Sequence, residues 1–231
     1  MNPAPIQPSR LRALRQQPLV VLYGILALLA SAAATRAMVW PLWPRATEPD
    51  SQAFLQALRQ AGYPVQPLPA GPPTRSAELA TSSLLAFGLG GGQELRLMNA
   101  TVRERFNLQT AFVGSIHPET KLEQRQAFPQ EGPSFLGTHQ RRLSRQTCLV
   151  TGAAGGFGTT RDELTPLIDR SAALDPHHSW KVLLGLTSNR SYRCTLISVR
   201  SGPGQAAIAA DRWRKLLTSL QASLKQDGGN G

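Results

Sequence analysis

Residues 19–34 read LVVLYGILALLASAAA, a stretch without one charged side chain, and Arg10, Arg12 and Arg15 stand just ahead of it. Positive charge is retained on the cytoplasmic side of a membrane, so this order holds the N-terminus in and sends the rest of the chain out. A helix needs about twenty apolar residues to cross the hydrocarbon layer, so Thr35 to Trp43 must contribute, with Arg36 near the interface and Trp40 and Trp43 at the boundary. Two fates fit the segment. Ala32-Ala33-Ala34 offers the small residues a signal peptidase accepts, yet the basic region lies far from the start and tryptophans follow the span, which favours a retained anchor. The expected organisation is a cytoplasmic basic N-terminus (1–18), a transmembrane signal anchor (19–40), a Pro-rich linker with a short helix (41–73), an exported domain (74–226) and a disordered tail (227–231). The location expected is the inner (plasma) membrane, single-pass, with the C-terminal domain in the periplasm.

Beyond the span the pattern changes from continuous apolarity to short alternations. Twelve of the 18 prolines fall in 1–18, 41–50 and 64–73, and four glycines crowd into 88–92, marking extended connections. Asp50 or Ser51 can cap a helix through Ala61, with Phe54, Leu55 and Leu58 on one face and Gly62 as its stop. The run PVQPLPAGPP (64–73) is a linker or an edge, because proline suits neither helix interior nor central strand. Strands are expected at Glu94–Val102, Leu108–Ile116, Ser134–Thr138, Gln146–Thr151 and Tyr192–Val199. Thr159 or Thr160 can cap a helix over Arg161–Ser171, with Asp162 and Glu163 in its first turn. From Gln205 to Lys225, Ala209, Trp213, Leu216, Leu217, Leu220 and Leu224 recur at three- and four-residue spacing, an amphipathic helix that packs on a sheet. The fold class is therefore α+β: an N-terminal transmembrane helix, then a largely antiparallel sheet with flanking helices.

The net charge of +11 and sequence pI of about 11.0 suit a nucleic-acid binder. That class is disfavoured, because the basic residues are mostly scattered arginines and no nucleic-acid module accompanies them. A coding sequence rich in G and C enriches arginine without functional demand. The one compact group, Arg141, Arg142 and Arg145, is a candidate basic patch for an envelope module that binds acidic polymer. Cys148 and Cys194 each lie in an expected strand, either bridged in an oxidising compartment or held as two buried free thiols. His177 and His178 are adjacent, which is awkward for a shared metal, and His117 and His139 are isolated, so no metal site is expected.

Leu149 to Gly158 (LVTGAAGGFG) resembles the cofactor turn of short-chain dehydrogenases, in which glycines let the backbone approach a dinucleotide pyrophosphate. The catalytic Tyr-x-x-x-Lys pair of that family is missing, since Leu196 stands where the lysine would follow Tyr192. A glycine-rich turn between strand and helix, built on Gly152, Gly155, Gly156 and Gly158, is the better reading, with no cofactor. A dinucleotide-dependent oxidoreductase is the alternative.

Several stretches together carry a second likeness: Gln146-Thr147-Cys148-Leu149-Val150, Gly155-Gly156-Phe157-Gly158-Thr159-Thr160, Trp180-Lys181-Val182-Leu183-Leu184-Gly185, Arg193-Cys194-Thr195-Leu196 and the late Trp213. Over roughly residues 134–220, and in its membrane segment, the chain resembles the cyanoexosortase A system-associated proteins. The resemblance implies a cyanobacterial, non-catalytic accessory of an exosortase, the membrane-embedded enzyme that processes proteins carrying a C-terminal sorting signal. Such systems serve protein sorting and exopolysaccharide assembly. The partners implied are that enzyme or its substrates, alongside membrane lipid, with no nucleic acid and no identified small-molecule substrate. The Gly152–Gly158 turn and the sheet are the expected contact surface.

Overall fold

The computed structural model describes residues 8–39, 46, 48–71, 79–103, 116, 124–127, 133–139, 141–151, 155–183 and 191–227. By its contacts the chain divides into two units, Met1–Leu42 with Ser179–Ser188, and Trp43–His178 with Asn189–Gly231. The first unit holds helix α1 (Pro8–Val39), with Pro18 inside it. Its window Pro18–Thr35 is long and apolar enough to cross a membrane, and none of that window is buried. Side chains such as Leu22, Leu28 and Leu29 would meet water if no lipid or partner covered them.

In the second unit nine strands build one sheet, and every pairing among the described residues is antiparallel. The strands are β1 (Gln66–Leu68), β2 (Leu79–Thr81), β3 (Leu85–Gly88), β4 (Glu94–Arg103), β5 (Gln124–Ala127), β6 (Phe135–His139), β7 (Arg142–Val150), β8 (Gly156–Gly158) and β9 (Ser191–Arg200). The order is β1-β3-β4-β9-β7-β6-β5, with β2 also paired to β4 and β8 to β7. Between β2 and β3 the ladder on β4 is carried by Ser82: its N–H donates to the Asn99 carbonyl and its Oγ accepts the Asn99 N–H, each at 2.9 Å. The β3–β4 hairpin turns through Gly90, Gly91 and Gly92, all at positive φ, a conformation three consecutive larger side chains would not sustain. Arg141 takes φ 60° in the β6–β7 hairpin, the one non-glycine residue described with positive φ.

Both faces of the sheet are covered. Helix α2 (Ser51–Gln60) is capped by the Asp50 carboxylate, which accepts the Gln52 and Ala53 N–H groups, and it ends at Gly62 in the left-handed region. Its Phe54, Leu55 and Leu58 join Leu95, Leu97, Ile197 and Val199 from the sheet and Trp213, Leu216, Leu217 and Leu220 from the last helix, α5 (Ala210–Asp227). The Tyr63 hydroxyl donates to the Arg212 carbonyl at 2.6 Å, joining the end of α2 to α5. Within 48–71, α2 belongs to the core and Gln66–Leu68 forms an edge strand. On the opposite face, Leu164, Leu167 and Ile168 of α3 (Arg161–Leu174) pack against Met98, Cys148, Val150, Cys194 and Leu196. Thr160 and Glu163 form a reciprocal capping box at the start of α3, a device whose loss typically costs about 1 kcal/mol. A short helix α4 (His178–Leu183) follows, with none of its residues buried.

The boundaries differ from the sequence reading in physical ways. Strand β7 begins at Arg142 rather than Gln146, because both its faces are covered and alternation gives way to continuous burial from Ser144 to Val150. Helix α5 starts at Ala210 rather than Gln205, while α3 runs three residues past Ser171. The strand expected at Leu108–Ile116 and the Trp40–Trp43 boundary lie outside the described residues, Ile116 excepted.

Candidate functional site

The side of the sheet that carries α3 gathers most of the residues with chemical promise. Even-numbered positions of β4, β7 and β9 point there in register: Ala100 opposes Cys194, Met98 opposes Leu196, and Cys148 stands across from Leu196. Cys148 and Cys194 therefore lie diagonally on neighbouring strands with Cα atoms 5.8 Å apart, and they are joined as a disulfide. Of the two states left open by the sequence, the structure contains the bridge.

The glycine run has a structural reason. The chain does not pass from β7 through a turn straight into a helix; it returns as strand β8, whose Phe157 pairs with Leu149 and whose Gly158 pairs with Cys148. A Cβ on Gly156 would lie 2.7 Å from Leu167 Cδ2, and one on Gly158 would lie 2.7 Å from Leu164 Cδ2. Those glycines let α3 settle closely on β8. A dinucleotide cradle instead needs the strand to deliver its glycine turn to a helix N-terminus, and here the α3 N-terminus is closed by its own capping box. Gly155 is half-buried ahead of β8, and Gly152 lies outside the described residues.

The three arginines of the proposed patch do not share a surface. Arg141 is exposed in the hairpin, Arg142 is half-buried, and Arg145 is buried on the other face, with its Nη1 donating to Ser134 Oγ at 3.4 Å. The odd spacing of 142 and 145 along one strand forces that separation.

A charged cluster stands instead at the other end of the α3 side, and the sequence reading missed it. Glu94 Oε1 accepts from Arg96 Nε at 2.6 Å, and Glu94 Oε2 accepts from Arg200 Nη2 at 2.7 Å. Arg96 Nη1 also donates to the Ile116 carbonyl at 2.8 Å. Ser144, Gln146 and Ser198, all buried, continue this polar end of the sheet, where Ser144 faces Arg200 and Gln146 faces Ser198. The signal was present in the Glu-x-Arg alternation opening β4, but it needed the β4–β9 register to bring Arg200 alongside. Burial raises the Glu94 carboxyl, yet hydrogen bonds from Arg200 and Arg96 and the charges of both outweigh it, leaving the group below its ordinary value. The carboxylate thus stays ionised and locked between two guanidinium groups, an arrangement suited to holding an ion pair rather than to moving a proton.

A pH test follows. With the folded pKa depressed, the stabilisation is present above the unfolded carboxylate range and is lost as pH falls through the folded value. In urea melts, the stability gap between the native chain and Glu94→Gln should be widest near neutrality and shrink as acid protonates Glu94. A gap independent of pH would show that the ion pair does not carry it.

Among the described residues no group of three or more His, Cys, Asp or Glu is placed to hold a metal ion. His177 is exposed, its N–H donating to Asp175 Oδ1. Burial raises the Tyr192 phenol strongly, which keeps it protonated beside the bridged Cys194. Comparison with protein-family models, with curated proteins and with solved structures yields no match.

Proposed function

We propose that the chain is a single-pass membrane protein whose disulfide-bridged α+β domain works outside the cytosol, as a non-catalytic accessory of an exosortase protein-processing system. The observation that carries the topology is the Cys148–Cys194 bridge in a chain headed by an uncovered apolar helix with arginines on its N-terminal side. Disulfides persist in the periplasm and at cell surfaces and are rare in the cytosol, so bridge and helix favour the same side of the membrane. The exosortase assignment draws its support from the resemblance over residues 134–220. The accessory role is favoured by packing and ion pairing on the α3 side, where Gly156 and Gly158 seat a helix and the Glu94 carboxylate is held by two arginines.

Two measurements test this. Alkaline phosphatase joined after Lys225 should be active, because that enzyme matures only outside the cytosol, whereas a fluorescent reporter that requires the cytosol should be dark. The reverse pattern removes the topology. Full-length chain drawn from detergent-solubilised membranes should bring with it a multi-span enzyme or a protein bearing a C-terminal sorting signal. Recovery of the chain alone under mild detergent counts against the accessory role.

A further inference from the structure

Helix α4 exposes what a soluble surface normally hides. Trp180 is 65% exposed and Leu183 is 64% exposed. At three-residue spacing in one helix, the two lie on the same face. The six residues are too few to form a stable helix by themselves, and no residue of α4 is buried. Residues Ser179–Ser188 fall in the same compact unit as α1, apart from the unit that contains the sheet.

From these observations we infer that α4 is a second membrane contact, with Trp180 and Leu183 seated at the boundary between headgroups and acyl chains of the bilayer that α1 crosses. The inference rests on the anchor reading above. Tryptophan favours that boundary, where its ring is apolar and its N–H stays wet. A net charge of +11 adds attraction to anionic headgroups. A lipid surface suits a pair of exposed apolar side chains better than a protein groove does, because it requires no matching shape.

The test uses the full chain reconstituted into vesicles of phosphatidylethanolamine and phosphatidylglycerol, with or without brominated acyl chains. In a Trp40→Phe/Trp43→Phe background the tryptophans left are Trp180 and the buried Trp213. Brominated lipid should remove about half of the emission, and adding Trp180→Phe should abolish that loss. A Leu183→Cys variant carrying an environment-sensitive dye gives the same readout with Trp180 in place, and its emission should shift to the blue on reconstitution. Flotation of the chain with the vesicles checks α1 separately. Flotation with Trp180 quenched by aqueous iodide but untouched by bromine overturns the α4 contact alone, and failure to float overturns the anchor reading with it. Protection of Trp180 only when a protein partner is added also overturns the lipid assignment.

Discussion

Trp213→Ala should lower the unfolding free energy by about 3–5 kcal/mol, the range for truncating a fully buried aromatic side chain. Trp213 has no exposed surface and sits where α5, α2 and the sheet converge, in one cluster with Phe54, Leu58, Leu95, Leu97, Leu149 and Ile197. Truncation removes the contact that seats α5 and leaves a cavity beneath it, which neighbouring leucines fill only in part. Trp213→Phe provides the contrast. The indole Nε1 is buried without a hydrogen-bond partner among the described residues, so phenylalanine keeps most of the packing while removing an unpaired donor, and its cost should be well below that of alanine. Urea unfolding of the full chain in detergent, followed by far-ultraviolet circular dichroism, measures both. A cost for alanine under about 1 kcal/mol would show that α5 does not rest on the sheet through this residue.

Removal of the disulfide should cost about 4 kcal/mol. The cysteines are separated by 46 positions, and the entropy of closing a loop of that size in the unfolded chain gives this value. The double variant Cys148→Ala/Cys194→Ala is the clean comparison, because a single replacement leaves a buried free thiol. In denaturant the variant's midpoint should fall substantially, and dithiothreitol should destabilise the native chain by a similar amount while leaving the variant unchanged. Equal midpoints for the native chain and the double variant would remove the bridge from the account of stability. In the proposed topology the effect has a cellular counterpart: chain retained in a reducing cytosol should be the less stable form.

The legible parts of this fold are those whose causes are local. Asp50 and Gly62 bracket α2, Thr160 and Glu163 announce α3, and the spacing of Trp213, Leu216, Leu217 and Leu220 describes the buried face of α5. Alternation through Tyr192, Cys194 and Leu196 placed β9 correctly, since its two faces differ in what they touch. What stayed hidden depends on partners far away in the chain. Arg145 reads as a surface charge, but the register of β7 carries it inward. Gly156 and Gly158 read as a turn between strand and helix, because a sequence does not say that they pair with β7 as a strand or that the atoms approaching them belong to Leu167 and Leu164. The Glu94–Arg200 ion pair joins residues more than a hundred positions apart, and only the antiparallel pairing of β4 with β9 brings them face to face.

The covalent link between β7 and β9 also determines what proteolytic damage can do. A cut anywhere between residues 148 and 194, the span that holds β8, α3 and α4, severs the backbone without releasing either piece. The C-terminal fragment, with β9 and α5, stays fastened to the remainder and keeps its place in the sheet. On a gel such nicked protein runs as one species until reductant is added, then as two.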